Sequence, residues 1–347
     1  MQFADKKIGW NRIGFVISLA IIAFAVDILW HTLRGIDVAK LVGALQATDM
    51  HDLVLAAVFV AAGYFTLTFY DLFAVRTIGR NEVPYRVAAL AGFTSYSIGH
   101  NLGASVFTGG AVRYRIYSHY GLSAIEVAKI CFIAGLTFWL GNATVLGLGI
   151  AYAPEAASAI DKLPPLANRV IAIGVLIALA SYVAWVWTAP RTIGRSDWVV
   201  TLPDGKLTLL QIVIGIIDLS FCALAMYVLV PDQPYIGFVT LAVIFVTATL
   251  LGFASHSPGG LGVFDAAMLV ALWQFDTEHL LAGLLLFRLL YYILPFALSL
   301  LLLGGREIWL SFWATRVAVA AVTAPPDLAP PPVELADESV EPARKSS

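Results

Sequence analysis

A chain can cross a bilayer only where about 20 mostly apolar residues follow one another, because the hydrocarbon layer is about 30 Å thick and a helix rises about 1.5 Å per residue. This sequence meets that condition repeatedly. Runs of the required kind lie at 13–33, 53–70, 130–152, 169–188, 207–230, 236–255 and 279–303, and shorter runs broken by glycine lie at 87–111 and 256–274. Charge is correspondingly scarce. Only 13% of the 347 residues are Asp, Glu, Lys or Arg, about half the share that a hydrated soluble surface carries. The pattern predicts an all-α polytopic membrane protein of about eight transmembrane helices with one or two glycine-broken re-entrant elements. An internal two-fold repeat fits the same pattern.

Residues 1–12 place Lys6, Lys7 and Arg12 before an apolar run that is too long for a signal peptide and has no small-residue cleavage site after it. They read as a cytoplasmic N-terminus ahead of a first span. Residues 13–305 read as the membrane domain, divisible into halves at 13–195 and 205–305. The stretch 306–322 reads as short, amphipathic and juxtamembrane, and 323–347, rich in proline and acid, as a disordered tail.

Lys and Arg accumulate in cytoplasmic loops. The N-terminus, the 71–86 loop (Arg76, Arg80, Arg86) and the 189–206 loop (Arg191, Arg195, Lys206) are basic, whereas 153–168 and 231–235 are not. With the basic stretches inside, an odd number of crossings must separate 71–86 from 153–168, yet two apolar runs lie between them. The conflict disappears if 87–111 dips into the membrane and returns, leaving Arg113, Arg115 and Lys129 on the cytoplasmic side. Its glycines and serines, with His100 and Asn101, suit irregular backbone beside protein or a watery cavity. The segment Ser255 to Asp265, with His256, Pro258, Gly259, Gly260 and Gly262, echoes it, and paired glycine-interrupted segments point to a transporter's midplane site. Charge counting leaves open whether the halves are parallel or inverted.

A charge inside a membrane segment costs at least about 2.5 kcal/mol on insertion scales, so Asp27, Asp71, Asp218, Asp265 and Arg288 each require a reason. Asp27 and Asp71 lie near the ends of their runs, where snorkelling to the interface is an ordinary explanation. Asp218, between Ile217 and Leu219, has no interface within reach and points to function or a buried ion pair. Arg288 is the candidate partner for one of the acids. The expectation is one polar site joining Asp218, Arg288, Asp265 and Arg113 at the interface of the halves. Arg113 and Arg115 follow Thr108-Gly109-Gly110-Ala111 directly. Glycines let backbone N–H groups approach a ligand and guanidinium forks bind phosphate, so this stretch either holds an anionic headgroup or only sets topology. Tyr114, Tyr117 and Tyr120 fit an interfacial aromatic belt.

Other chemistries find no support. A net charge of -2 leaves no broad basic face for nucleic acid. No nucleophile elbow, zinc-protease, phosphate-loop or dinucleotide signature is present. Cys131 and Cys222 fall in apolar runs and suit packing, and the lone His100 and His256 suit helix breaks. No catalytic residue, metal or cofactor is expected.

The residues His100-Asn101-Leu102-Gly103, Thr108 through Tyr117, Gly121-Leu122-Ser123 and Leu136 through Gly141 resemble the membrane domain of the bacterial multiple peptide resistance factors, the lysylphosphatidylglycerol synthase/flippases. The box Pro258-Gly259-Gly260-Leu261-Gly262-Val263-Phe264-Asp265 is similar to that family's second signature. The resemblance spans about residues 53–300. It implies the flippase-like half in a stand-alone form lacking the soluble aminoacyltransferase domain, and hence no enzyme. It ties Asp71, Arg113, Asp218 and Asp265 to lipid translocation, with Asp218 standing where the family shows glutamate. The residues expected to serve headgroup binding or translocation are therefore Asp71, Asn101, Gly109, Gly110, Arg113, Arg115, Asp218, His256, Pro258, Gly259, Gly260, Asp265 and Arg288.

The function expected is a lipid translocase of the bacterial inner membrane, moving a polar-headed phospholipid, anionic or aminoacylated, between leaflets. Two acids and two arginines suit a headgroup bearing both signs. The competing readings are a non-transporting membrane partner of a separately encoded lipid- or glycan-modifying enzyme, and a small-solute or ion transporter. A homo-oligomer is compatible with each.

Overall fold

The computed structural model describes residues 48–103, 105–195, 198–255 and 257–323, with isolated positions before them. The expected span at 13–33, Asp27, His256 and the tail from Ala324 lie outside the described residues. The chain runs α1 (Met50–Thr77), α2 (Tyr85–Leu102), α3 (Ser105–Tyr117), α4 (Ala124–Tyr152), α5 (Pro154–Asp161), α6 (Pro165–Thr188), strands β1 (Thr192–Arg195) and β2 (Trp198–Thr201), α7 (Gly205–Leu229), α8 (Phe238–Ala254), α9 (Val263–Ala271), α10 (Thr277–Phe287) and α11 (Leu294–Thr323). It separates into two compact units, Met1–Leu303 and Gly304–Ser347, and every residue expected of the site falls in the first.

Three of the long helices begin where a polar side chain satisfies their orphan N–H groups. Asp49 accepts the His51 N–H at 2.8 Å to start α1, Ser123 and Glu126 form a capping box on α4, and Asp204 accepts the Leu207 N–H at 2.8 Å on α7. Among the described residues five helical stretches are long and apolar enough to cross a membrane: α1, α4, α6, α7 and Thr277–Trp309. The last joins α10 to α11 through a π-helical turn at Arg288–Ile293. The protein is an all-α polytopic membrane protein. A small antiparallel pair, Thr192 opposite Thr201 through Arg195 opposite Trp198, lies in the 189–206 stretch that reads from sequence as a loop.

Two apolar regions do not cross. α2 and α3, 18 and 13 residues long, pack against each other, and α2 ends at Gly103, whose backbone (φ 72°, ψ 178°) is open to glycine and strained for other residues. At about 1.5 Å per residue α3 reaches about 20 Å, short of the hydrocarbon thickness. Both ends of this hairpin emerge on one face. Arg80, ahead of α2, holds Glu126 in the first turn of α4, with Nε and Nη2 each 2.6 Å from Oε1. The segment therefore enters and leaves on the same side, as the distribution of charge requires.

α8 and α9 form the second hairpin, turned at Pro258–Gly260 by Gly259, Gly260 and Gly262 with φ of +59°, +62° and +79°. Hydropathy alone makes 236–255 a span of its own. In the fold it is one limb of a broken element, because these glycines return the chain. The open end of this hairpin lies at the opposite end of α4. A Cβ on Gly149, in the last turn of α4, would touch Val239 and Val243 in the first turns of α8, and α5, which follows α4, packs on both α8 and α9. The two hairpins thus enter from opposite faces, so the halves are inverted. Their tips meet: Asn101, at the end of α2, donates to the Tyr292 carbonyl at 3.3 Å, and a Cβ on Gly259 would lie 3.9 Å from Asn101 Oδ1. α4 and α7 cross in close contact at Gly141 and Gly215, where a Cβ on either would lie 2.8 or 2.7 Å from the Cα of the other, a small-residue interface of the kind membrane helices favour.

Candidate functional site

α1 presents Asp71 to the first hairpin. Its side chain is 0% exposed, and Arg113 of α3 grips it in a fork, with Nε 3.0 and 3.1 Å from the two carboxylate oxygens and Nη2 2.7 Å from Oδ1. The Tyr117 hydroxyl, one helical turn on, donates to Oδ2 at 2.9 Å. Glycine permits this approach: a Cβ on Gly92 would lie 3.4 Å from the Asp71 Cβ, and one on Gly109 would lie 3.0 Å from the Ser95 carbonyl. Several sequence expectations change here. Asp71 does not snorkel, and Arg113 turns inward rather than serving as a juxtamembrane topology charge. Tyr117 is buried behind the ion pair instead of lying in an aromatic belt, while Tyr114 and Tyr120 are exposed. Gly109 and Gly110 lie inside α3 with their backbone committed to the helix, so they form no N–H cradle, and Gly109 instead allows α3 to pack closely on α2. Arg115, on the same helix, is partly exposed.

The second hairpin carries the other ion pair. Arg288, opening the π-helical turn, donates through Nη2 to Asp265 Oδ2 at 2.7 Å and through Nη1 to the Gly259 carbonyl at 3.2 Å. Asp265 Oδ2 also accepts the Gly262 N–H at 3.2 Å, capping α9. The Pro258-Gly259-Gly260 turn is thus held to the π-helical turn by one guanidinium.

Asp218 meets neither arginine. It is 2% exposed, and its partners are hydroxyls from α1: Tyr70 donates to Oδ2 at 3.0 Å and Thr66 to Oδ1 at 3.3 Å. The Cys222 thiol lies 4.0 Å from Oδ1 and 3.5 Å from the Tyr291 hydroxyl, which is itself 3.3 Å from the Tyr96 hydroxyl. The single site expected from sequence therefore resolves into a seam, with an ion pair toward each end and a cage of hydroxyls between them. The reason lies in chain order. Each hairpin contributes one member of an ion pair, Arg113 from α3 to Asp71 and Asp265 from α9 to Arg288, and Asp218 is left to the tyrosines. The seam is continuous, since Tyr70 adjoins Asp71 and Tyr292, which adjoins Tyr291, lies under Arg288 at 5.6 Å.

A cavity of about 790 Å³ opens between the first hairpin and α4. Arg113, Tyr70, Ser95, Tyr96 and His100 form its polar side, and α4 supplies an apolar wall that runs from Ala124 to Trp139, about 22 Å of helix. Phe107 and Trp139 at its rim are 81% and 53% exposed, so it reaches the surface. The Arg113 Nη1 group makes none of the bonds to Asp71, and the Ser95 hydroxyl has no hydrogen-bond partner. Among the described residues Arg113 is the one side chain with a fixed charge on the cavity wall. Among them, too, no three His, Cys, Asp or Glu are grouped to hold a metal. Sequence reasoning missed Tyr70, Thr66, Ser95, Tyr96 and Tyr291. A tyrosine immediately before the intramembrane Asp71, and a Tyr-Tyr pair one turn after Arg288, were the available signals.

No family model matches the chain. It is 29% identical to an uncharacterized protein of Synechocystis over 71% of its own length and 76% of the other's. It is 27% identical to the inner membrane protein YbhN of Escherichia coli, over 86% of this chain and 91% of that one. A phosphatidylglycerol lysyltransferase of Staphylococcus aureus matches at 23% identity over 87% of this chain. The chain is a relative of the multiple peptide resistance factors. The match covers 35% of the lysyltransferase, so that enzyme's activity belongs to a protein nearly three times as long as the matched stretch.

Proposed function

We propose that this protein moves an anionic phospholipid between the leaflets of the bacterial inner membrane. The observation that carries the reading is the cavity between the first hairpin and α4, with one guanidinium on its wall and an aromatic rim. Its volume lies within the range of about 300–1,000 Å³ usual for ligand sites. Arg113 is fixed in place by Asp71, and its Nη1 group, which makes no bond to Asp71, would meet a phosphate as a preorganised donor. The acyl tails would leave through the apolar rim at Phe107 and Trp139. Asp71 and Asp265 already have guanidinium partners, so they do not offer themselves to a second positive charge. That argues for a purely anionic headgroup over an aminoacylated one. The face shared by Arg80 and Glu126 would be cytoplasmic, since Arg76, Arg80 and Arg86 gather in its loop, and the described cavity starts there.

The test is reconstitution into liposomes with fluorescent phosphatidylglycerol, phosphatidylethanolamine and phosphatidylcholine, read by leaflet accessibility to a membrane-impermeant quencher. Exchange should favour phosphatidylglycerol. The double variant Asp71→Asn with Arg113→Gln should stay folded and exchange it about 10- to 100-fold more slowly, the worth of a charge-assisted hydrogen bond. Equal rates for all three lipids would overturn the reading.

A further inference from the structure

The lipid reading leaves one buried acid unused. Asp218 sits near the middle of α7, where no membrane interface can hydrate it. The titratable groups that face it are Tyr64 and Tyr70 from α1, Tyr96 from α2, Cys222 from its own helix, and Tyr291 from the π-helical turn. Where α4 packs on α7 it offers Thr137 and Gly141, which do not titrate. Among the described residues no Arg, Lys or His forms an ion pair with Asp218. An isolated carboxylate at this depth is costly unless it takes up a positive charge. A metal ion needs about six oxygens around it. Here two hydroxyls at hydrogen-bond distance are what reaches the carboxylate, which suits a proton.

Access is built in. Tyr70 lines the cavity and its hydroxyl donates to Asp218 Oδ2, so one residue reaches from the cavity wall to the acid. Tyr70 is also the chain neighbour of Asp71, the anchor of Arg113, so α1 carries both the headgroup clamp and the link to Asp218.

We propose that Asp218 is a proton-carrying site, loaded from the cavity through Tyr70, that couples lipid movement to the proton gradient across the membrane; the coupling rests on the lipid-translocase reading above. In the loading step Tyr70 gives its hydroxyl proton to Asp218 Oδ2 and takes one from a hydronium ion in the cavity, which is left as water. The carboxylate becomes a neutral acid and the phenol is restored. The neutral form removes the charge that binds α7 to the hydroxyls of α1, and release on the other side restores it.

Two measurements test this separately. Infrared difference spectra of the purified full chain, titrated with acid, should contain a protonated-carboxyl band that is lost in Asp218→Asn. In sodium-free proteoliposomes holding fluorescent phosphatidylglycerol, one unit of pH difference should bias the probe between leaflets up to about tenfold for one proton per lipid. Asp218→Asn, which mimics the protonated acid, should abolish the bias. Tyr70→Phe keeps the acid but removes the relay, so it should slow the approach to the bias, and it serves as the test should Asp218→Asn fail to fold. A bias that ignores pH, follows a sodium gradient instead, or survives in Asp218→Asn overturns the proposal, as does the absence of any titrating band assigned to Asp218. Absence of lipid exchange under every condition would instead remove the translocase reading and the coupling with it, while the infrared band would still decide whether Asp218 takes up a proton.

Discussion

Asp71 on α1 and Asp218 on the neighbouring α7 are both carboxylates removed from water, yet they are neutralised differently, and their substitutions should behave differently. Asp71 is fully buried against a guanidinium. Removing one partner of such a pair strands the other, at a cost of about 3–5 kcal/mol. Arg113→Gln alone should therefore lower thermal stability in detergent sharply, and adding Asp71→Asn should restore most of it. Additive losses in the double variant would show that the pair is not coupled. Asp218 has no guanidinium to strand, so Asp218→Asn should leave stability near that of the parent chain, and adding Arg288→Gln should rescue nothing. The natural rescue partner of Arg288→Gln is Asp265→Asn. At this scale the sequence marked which charges need a partner, because every intramembrane charge carries an energetic cost that can be read without a structure. It was silent on pairing, which depends on where two hairpins place their second limbs. Tyr117 illustrates the limit: three tyrosines at three-residue spacing look like a belt, and only the packing of α3 on α1 turns the middle one inward to Asp71.

At the scale of elements, hydropathy found the long helices among the described residues to within about seven residues at either end, and the glycine-rich interruptions as well. It mistook α8 for a span, since a limb of 17 apolar residues has the composition of a crossing helix and the turn that returns it lies in the residues beyond. The β1–β2 pair had no signal, as four-residue strands are too short for a period to show. The same-face exit of the first hairpin gives a direct topological prediction. Single cysteines at Asn81, before α2, and at His119, after α3, are both exposed and should react with an impermeant maleimide from the same side of the membrane, in a background with Cys131 and Cys222 replaced. Labelling from opposite sides would break the hairpin. Packing between elements is equally exposed to test. Because a Cβ on Gly215 would press on the Gly141 backbone at 2.7 Å, Gly215→Ala should destabilise by about 1–3 kcal/mol through overpacking. Gly135, which a Cβ would leave with nothing within 4 Å, should tolerate alanine.

Across the whole molecule, two hairpins entering from opposite faces and touching at their tips make an inverted repeat, the architecture in which one half rocks against the other around a midplane site. Sequence could suggest the repeat from its paired glycine segments but not its sense, because that follows from which end of α4 each hairpin opens beside. If exchange of lipid requires the first hairpin to part from α4, a bond between them should stop it. The geometry supplies a place. A Cβ on Gly110 would lie 3.7 Å from the Cys131 sulfur where α3 meets α4 on the cavity wall, near enough for a disulfide with small adjustment. In Gly110→Cys, oxidation should link the new thiol to Cys131, halt phosphatidylglycerol exchange and be reversed by reductant, whereas Gly110→Ser and Gly110→Cys with Cys131→Ser should keep exchanging under the same oxidant. Reversal by reductant separates a mechanical lock from simple filling of the cavity, since the added side chain is present in both states. Undiminished exchange in the fully linked protein would mean that the hairpin and α4 move as one body, and the moving interface would then have to be sought where α1 meets α7, along the hydroxyls that hold Asp218.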